Sequence, residues 1–219
     1  MKEKTHIYFV PGLAASCRIF EYIKLPEDRF ALHFLEWIIP LDGESLRSYA
    51  KRYVSSIQDP DPVLVGVSFG GMLVQELSML IPAKKVIIIS SLKSNNEMPK
   101  YLRWIKKTGL YKLFPTRTIA KERNYSRYPL SGKWRRKAEL YDKYLNVRDE
   151  KYLNWSIRQA LNWQQTETPP GVVHIHGTRD EIFPAKRLDG FIPVEGGNHA
   201  MILTRAGKIS KLIENILAS

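Results

Sequence analysis

Hydrophobic positions follow two periods that alternate along the chain. Short runs that are apolar almost throughout, rich in β-branched and aromatic residues, occupy positions 7–10, 30–37, 63–67, 86–89, 172–175 and 191–194. Runs of that length with apolar side chains on both faces are what parallel strands covered on both sides require. Between them the period lengthens to that of a helix. Residues 44–57 follow Asp42-Gly43 and set Leu46, Tyr49, Ala50, Tyr53, Val54 and Ile57 on one stripe. Residues 69–80 continue to a stop at Pro82, and 208–217 carry Ile209, Leu212, Ile213 and Ile216 on one side. The alternation predicts an α/β fold: a mainly parallel sheet with helices on both faces.

Residues 92–168 break this rhythm. Their patterns are helical: Tyr101, Leu102, Trp104 and Ile105; then Trp134, Ala138, Tyr141 and Leu145; then Leu153, Ile157, Ala160 and Leu161. A crossover between adjacent parallel strands needs about a dozen residues, so the excess reads as a helical insertion, with residues 1–91 and 169–219 forming the core. Every tryptophan except Trp37 falls in the insertion. So does the net charge of +12, because the stretch from Lys100 to Lys137 is crowded with Lys and Arg and holds one acid, Glu122. The rest of the chain is balanced.

A length of 219 residues fits a single domain with an extensive core. No apolar run reaches the length of a transmembrane helix. The N-terminal residues lead straight into the apolar run 7–10 and Pro11-Gly12, which reads as a buried strand and not as a signal peptide. Cys17 is the only cysteine, so no internal disulfide forms, and a cytoplasmic location is expected.

The chemistry centres on Gly66-Val67-Ser68-Phe69-Gly70. By composition alone a G-x-S-x-G arises in about one chain of this length in fifteen, so its flanks decide its meaning. Here it follows an apolar strand and opens a helix, the setting in which a sharp turn lifts a serine hydroxyl above a sheet edge. Small residues at 66 and 70 keep that turn free of clashes, and the helix directs its N-terminal amides at the site.

A serine hydroxyl needs a base. His6 and His33 lie in or beside the first two strands, His174 and His176 lie in a later one, and all four read as packing residues. His199 stands apart, in the loop Glu195-Gly196-Gly197-Asn198-His199 beyond the last strand. An acid to orient the imidazole is expected in the loop after His174-Ile175-His176-Gly177, where Asp180 is favoured over Glu181 and Asp189. Two backbone N–H donors should hold the oxyanion: Phe69, after the nucleophile, and Leu13, in the loop Pro11-Gly12-Leu13-Ala14-Ala15-Ser16 after the first strand. Cys17 has no assigned base and reads as a structural thiol.

Together these four motifs, in this order, resemble the α/β-hydrolase superfamily over essentially the whole chain outside the insertion. The resemblance implies that the insertion is a cap (lid) domain over the active site. It also implies that the antiparallel strands which usually precede the first strand are missing here. Many relatives have His-Gly where this chain has Pro11-Gly12. The expected activity is that of a carboxylesterase-like serine hydrolase acting on an ester, with thioester and amide open, through an acyl-enzyme and without metal or cofactor. Other chemistries on the same three residues (C–C hydrolysis, a lyase or perhydrolase reaction) and a catalytically silent binder are the alternatives.

The partner expected is a small molecule. The basic insertion is read first as a cap whose Trp, Tyr and Leu face the core while Lys and Arg face water. An anionic substrate steered by the positive field is a second reading, and docking on anionic lipid a less favoured third. Nucleic acid is not expected, because no binding motif for it is present.

Overall fold

The computed structural model describes residues 4–121 and 132–218. Six strands form one all-parallel sheet: β1 (Thr5–Val10), β2 (Phe30–Phe34), β3 (Val63–Val67), β4 (Lys85–Ile89), β5 (Val172–Gly177) and β6 (Ile192–Val194), in the order β2-β1-β3-β4-β5-β6. The two-residue period of each strand explains the unbroken apolar runs. Tyr8, Val10, Leu64, Val86 and Ile88 point to one face, where they pack with helices α1 (Leu46–Tyr53) and α2 (Phe69–Ser78). Ile7, Phe9, Val63, Val65, Val67, Ile87 and Ile89 point to the other, against α7 (Met201–Thr204) and α8 (Ala206–Ala218). Both faces are therefore dry, as the parallel arrangement demands.

Of the element boundaries that differ from the sequence expectation, two show their physical reasons plainly. The run 30–37 stays in the sheet only to Phe34, because its ladder partner β1 ends at Val10 and Pro11 has no N–H to offer. The released segment instead packs over the loop after β1, held by the Tyr49 hydroxyl donating to Ile38 O at 2.7 Å and the Tyr53 hydroxyl donating to Glu36 O at 2.7 Å. Strand β5 runs past the apolar run 172–175 to Gly177 and takes in His174 and His176, both buried, as the sequence placed them. The short helix α7 was not anticipated.

Residues 92–168 contain, among the described residues, no strand. They form α3 (Lys100–Thr108), α4 (Thr116–Lys121), α5 (Gly132–Tyr144) and α6 (Glu150–Asn162). Helix α6 packs on the core through Tyr152, Leu153 and Trp155, capped by Asp149 accepting from Tyr152 N at 2.8 Å. The expectation that Trp, Tyr and Leu face inward holds for Tyr144, Tyr152 and Trp155 but not throughout. Trp104 is 58% exposed and Leu113 78%. The apolar stripe read at Trp134, Ala138 and Tyr141 lies outside the side chains described. Among the described residues no helix is long and apolar enough to cross a membrane.

Candidate active site

Strand order reverses at β1 and β3, whose connections leave for opposite sides of the sheet, the point beyond whose C-terminal ends open α/β sheets place their ligands. Ser68 sits at that point, between β3 and α2, with φ 53° and ψ −117°. A non-glycine residue with positive φ is strained and survives only where its surroundings hold it. Here they do. Ser68 N donates to Ile89 O at 2.9 Å, and Ser68 O accepts from Gly71 N at 2.9 Å and from the Ser91 hydroxyl at 2.7 Å. The turn also needs its glycines. A Cβ on Gly66 would lie 2.6 Å from Gly71 N, and one on Gly70 would lie 2.9 Å from the carbonyl carbon of Val10.

From the far side of the sheet His199 reaches this serine, with Nε2 3.0 Å from Ser68 Oγ. Its Nδ1 lies 2.9 and 3.1 Å from the two carboxylate oxygens of Asp180. The Asp180 carboxylate is buried, and its Oδ1 accepts from the amides of Ile182 and Phe183, each at 2.8 Å. The Phe183 ring packs edge-on to the His199 imidazole. Of the three acids considered, Glu181 instead accepts from the backbone amide of His199 at 3.3 Å, and Asp189 presents its carbonyl to the Lys93 ammonium.

The other two residues expected here also lie at these strand ends. Phe69 is the first residue of α2, whose leading amides have no partner within the helix. Leu13 follows Gly12, whose carbonyl accepts from Ala15 N at 3.0 Å and from Trp37 Nε1 at 3.1 Å. Because the peptide is planar, fixing that carbonyl fixes the Leu13 N–H in the opposite direction. Ala14, with φ 63°, closes the tight turn. Gly12 itself abuts the serine, since a Cβ there would stand 3.5 Å from Ser68 Cβ.

The sequence matches the model of the alpha/beta hydrolase family over residues 7–211. This chain belongs to that family. Solved structures agree in fold. A putative non-heme bromoperoxidase, BpoC, from Mycobacterium tuberculosis H37Rv superposes with a TM-score of 0.72 at 13% identity, covering 99% of this chain and 92% of that one. An epoxide hydrolase from Bacillus megaterium gives 0.68 at 11% identity, covering 99% and 94%. A thermophilic esterase from Thermogutta terrifontis gives 0.64 at 10%, covering 98% and 89%. A search of curated protein sequences returned no match.

Several side chains at the site of this alpha/beta hydrolase escaped the sequence reading. His176 does more than pack. Its Nε2–H donates to Phe183 O at 2.8 Å, so its Nδ1 is free to accept from His174 Nε2, 3.1 Å away. Burial lowers the pKa of both rings, His174 strongly, which keeps them neutral at pH 7. A neutral His176 therefore ties β5 to the loop that presents Asp180. The motif His176-Gly177-x-x-Asp180 held the only sequence hint of this. Ser91 and Trp37 carried no signal, because their hydrogen bonds run to the main chain of distant residues.

The residue after the serine, Phe69, belongs to a buried aromatic cluster. Phe69 stacks on Trp37 with centroids 5.4 Å apart and meets Trp155 edge-on at 5.9 Å, while Tyr152 lies 5.3 Å from Trp37. Two of these four rings belong to α6. On the outer side of Trp155 a cavity of about 490 Å³ opens between residues 40–43, Tyr111 and α6, with Lys112, Lys151 and Arg158 on its walls. At the other flank the Tyr101 hydroxyl of α3 donates to Ile182 O at 2.9 Å, two residues past Asp180. The Cys17 thiol is pushed far up, first by burial and then by Glu36, so it stays protonated at neutral pH and unfit as a nucleophile.

Proposed function

We propose that this protein is a serine hydrolase that cleaves a carboxylic ester through an acyl-enzyme, with Ser68 as nucleophile, His199 as general base and Asp180 as the acid that orients it. The unbroken row Ser68 Oγ, His199, Asp180 carries the reading. Asp180 accepts from Nδ1–H, which leaves the Nε2 lone pair facing the serine hydroxyl. As Ser68 attacks the carbonyl carbon, its proton passes to Nε2, and Asp180 stabilises the imidazolium. The amides of Leu13 and Phe69 hold the negative oxygen, each worth about 3 kcal/mol of barrier. The proton then goes to the leaving alcohol. Water, activated by the same histidine, releases the acid and restores Ser68. A thioester or amide would follow the same path.

Residues 92–168 act in this reading as the cap. Their helices reach both sides of Ser68: Tyr152 and Trp155 beside the loop after β1 and the start of α2, Tyr101 on the acid loop. Their excess of Lys and Arg favours substrates that carry negative charge.

A fluorophosphonate probe, which reacts only with an activated serine, tests the proposal. The expected result is stoichiometric labelling of Ser68, located by peptide mass spectrometry and abolished by Ser68→Ala. Folded protein that takes up no label refutes it.

A further inference from the structure

His6 and His33 lie within strands and Asp59 ahead of one, away from the C-terminal strand ends where Ser68 sits, and the reaction above uses none of them. His6 is the second residue of β1, Asp59 lies four residues ahead of β3, and His33 stands on β2 in register with Tyr8. They bring three donor atoms together. His6 Nδ1 is 2.9 Å from His33 Nε2 and 3.0 Å from Asp59 Oδ1, and one ligand atom from each residue lies within 4.8 Å of the others. The group is also braced from behind. The Tyr8 hydroxyl donates to Asp59 Oδ2, and the Tyr8 ring stacks on His33 with centroids 4.5 Å apart. An outer hydrogen bond of that kind is how proteins aim a metal-ligating carboxylate.

Such convergence asks for a cation. The carboxylate oxygen can only accept, and a neutral imidazole has one N–H and one lone pair. His6 Nδ1, which carries at most one proton, faces both the Asp59 carboxylate and His33 Nε2, and the two imidazole rings lie nearly coplanar with these nitrogens facing each other. A metal ion there replaces the shared hydrogen bond with three ligand bonds. Tetrahedral zinc, with bonds of about 2.0–2.1 Å, sets its donors about 3.3 Å apart. The observed 2.9 and 3.0 Å lie within a few tenths of an ångström of that spacing, and each imidazole then turns about its side-chain bonds to aim its lone pair at the ion. Two imidazole nitrogens and one carboxylate suit zinc, where magnesium and calcium prefer oxygen throughout. Side-chain exposures of 35% for His6 and 22% for Asp59 give the ion a way in and leave room for water as a fourth ligand.

We infer that His6, His33 and Asp59 form a zinc-type metal site, separate from the Ser68 centre, that clips the edge strand β2 and the approach to β3 onto β1. The ligands are far apart in sequence, so the ion acts as a cross-link and stabilises the fold through mass action.

Metal-stripped full-length protein titrated with Zn²⁺, and with Co²⁺ as a spectroscopic substitute, tests this. One equivalent should bind saturably, with Co²⁺ giving the intense visible absorption of a four-coordinate site. The melting temperature should rise by about 5 °C at saturation. His33→Ala and Asp59→Asn should each weaken binding by more than about tenfold, and Tyr8→Phe by about tenfold. His199→Ala should leave affinity unchanged, and Ser68 labelling should be the same with and without metal. Unaltered affinity in the His6→Ala/His33→Ala double variant, loss of binding in His199→Ala, or no one-equivalent binding would overturn the assignment. Should the variants fold poorly, nuclear magnetic resonance of the unaltered protein decides: the ring signals of His6 and His33 must shift with the first equivalent of Zn²⁺, and unshifted signals overturn the site.

Discussion

The contact between Gly177 and Gly197 is one of the narrow joints of the candidate site, and Gly177→Ala tests what it does. Gly177 ends β5, three residues before Asp180, and Gly197 lies two residues before His199. A Cβ on Gly177 would stand 2.6 Å from the carbonyl carbon of Gly197, 3.2 Å from its Cα, and closer still to its oxygen. Carbon atoms settle at about 3.5 Å, so one backbone must retreat by about 0.9 Å. Neither side is free to do so without loss. Gly197 O accepts from Arg179 N at 2.8 Å, Gly197 N donates to Val194 O at 3.0 Å, and Met201 Sδ packs behind it. The retreat therefore separates His199 from Asp180 or from Ser68. A misplacement of about 1 Å in reacting groups costs about a hundredfold in rate, and overpacking costs about 1–3 kcal/mol in stability. The assay is kcat/KM for a p-nitrophenyl ester, well below the melting temperature, with circular dichroism to verify folding. Gly207→Ala in α8 is the control, because a Cβ there meets nothing. It should gain about 0.4–1 kcal/mol and lose no activity. Folded Gly177→Ala with a rate within threefold of the parent refutes the argument.

Other outcomes follow from the same geometry. Asp180→Asn should keep its hydrogen bonds from Ile182 N and Phe183 N but turn His199 to the wrong tautomer, lowering kcat by about 10⁴. A loss under tenfold means another acid orients the ring. His174, buried and with its pKa strongly lowered, stays neutral in the fold while the unfolded chain takes up a proton below about pH 6.5. Stability should then fall with acidification by about 1.4 kcal/mol per pH unit for that proton, seen as a falling urea midpoint between pH 6.5 and 5. A flat profile contradicts this. Replacing Lys106 and Lys107 of α3 by Gln should raise KM for anionic esters more than for neutral ones, whereas equal effects assign these lysines to a solvated face.

The fold was legible because its signals are local. Six apolar runs became six strands, and Pro11 follows directly on a strand end, while α2 stops at Ser78, two residues short of the expected 80 and ahead of Pro82. The serine was legible for the same reason: a glycine pair around one residue, between a strand and a helix, describes a single turn. What escaped was long-range. The hydrogen bonds from Ser91 to the Ser68 carbonyl and from Trp37 to the Gly12 carbonyl join residues 23 and 25 positions apart through main-chain atoms, which carry no residue-type signature. The outward-facing Trp104 and Leu113 were equally invisible, since a helical stripe gives the direction of an apolar face but not what lies opposite it.

The choice of His199 rests on a distance as much as on composition. Between β3, which carries Ser68, and β6, which leads to His199, stand β4 and β5. At about 4.8 Å per strand the span is about 14 Å. Five residues from Glu195 to His199 extend at most about 17 Å, and an imidazole adds several more. The reach exceeds the span, the slack is taken up by the turn in which Gly197 N donates to Val194 O at 3.0 Å, and the loop lies directly on the end of β5. Gly177 and Gly197 make that possible by bringing two main chains within a distance that any side chain would forbid. The hydrogen bond from Arg179 N to Gly197 O pins the crossing at that point. Loop composition and sheet order thus act as one constraint. Gly196-Gly197 marks the loop in the sequence, while the sheet order sets the distance that its histidine has to cover.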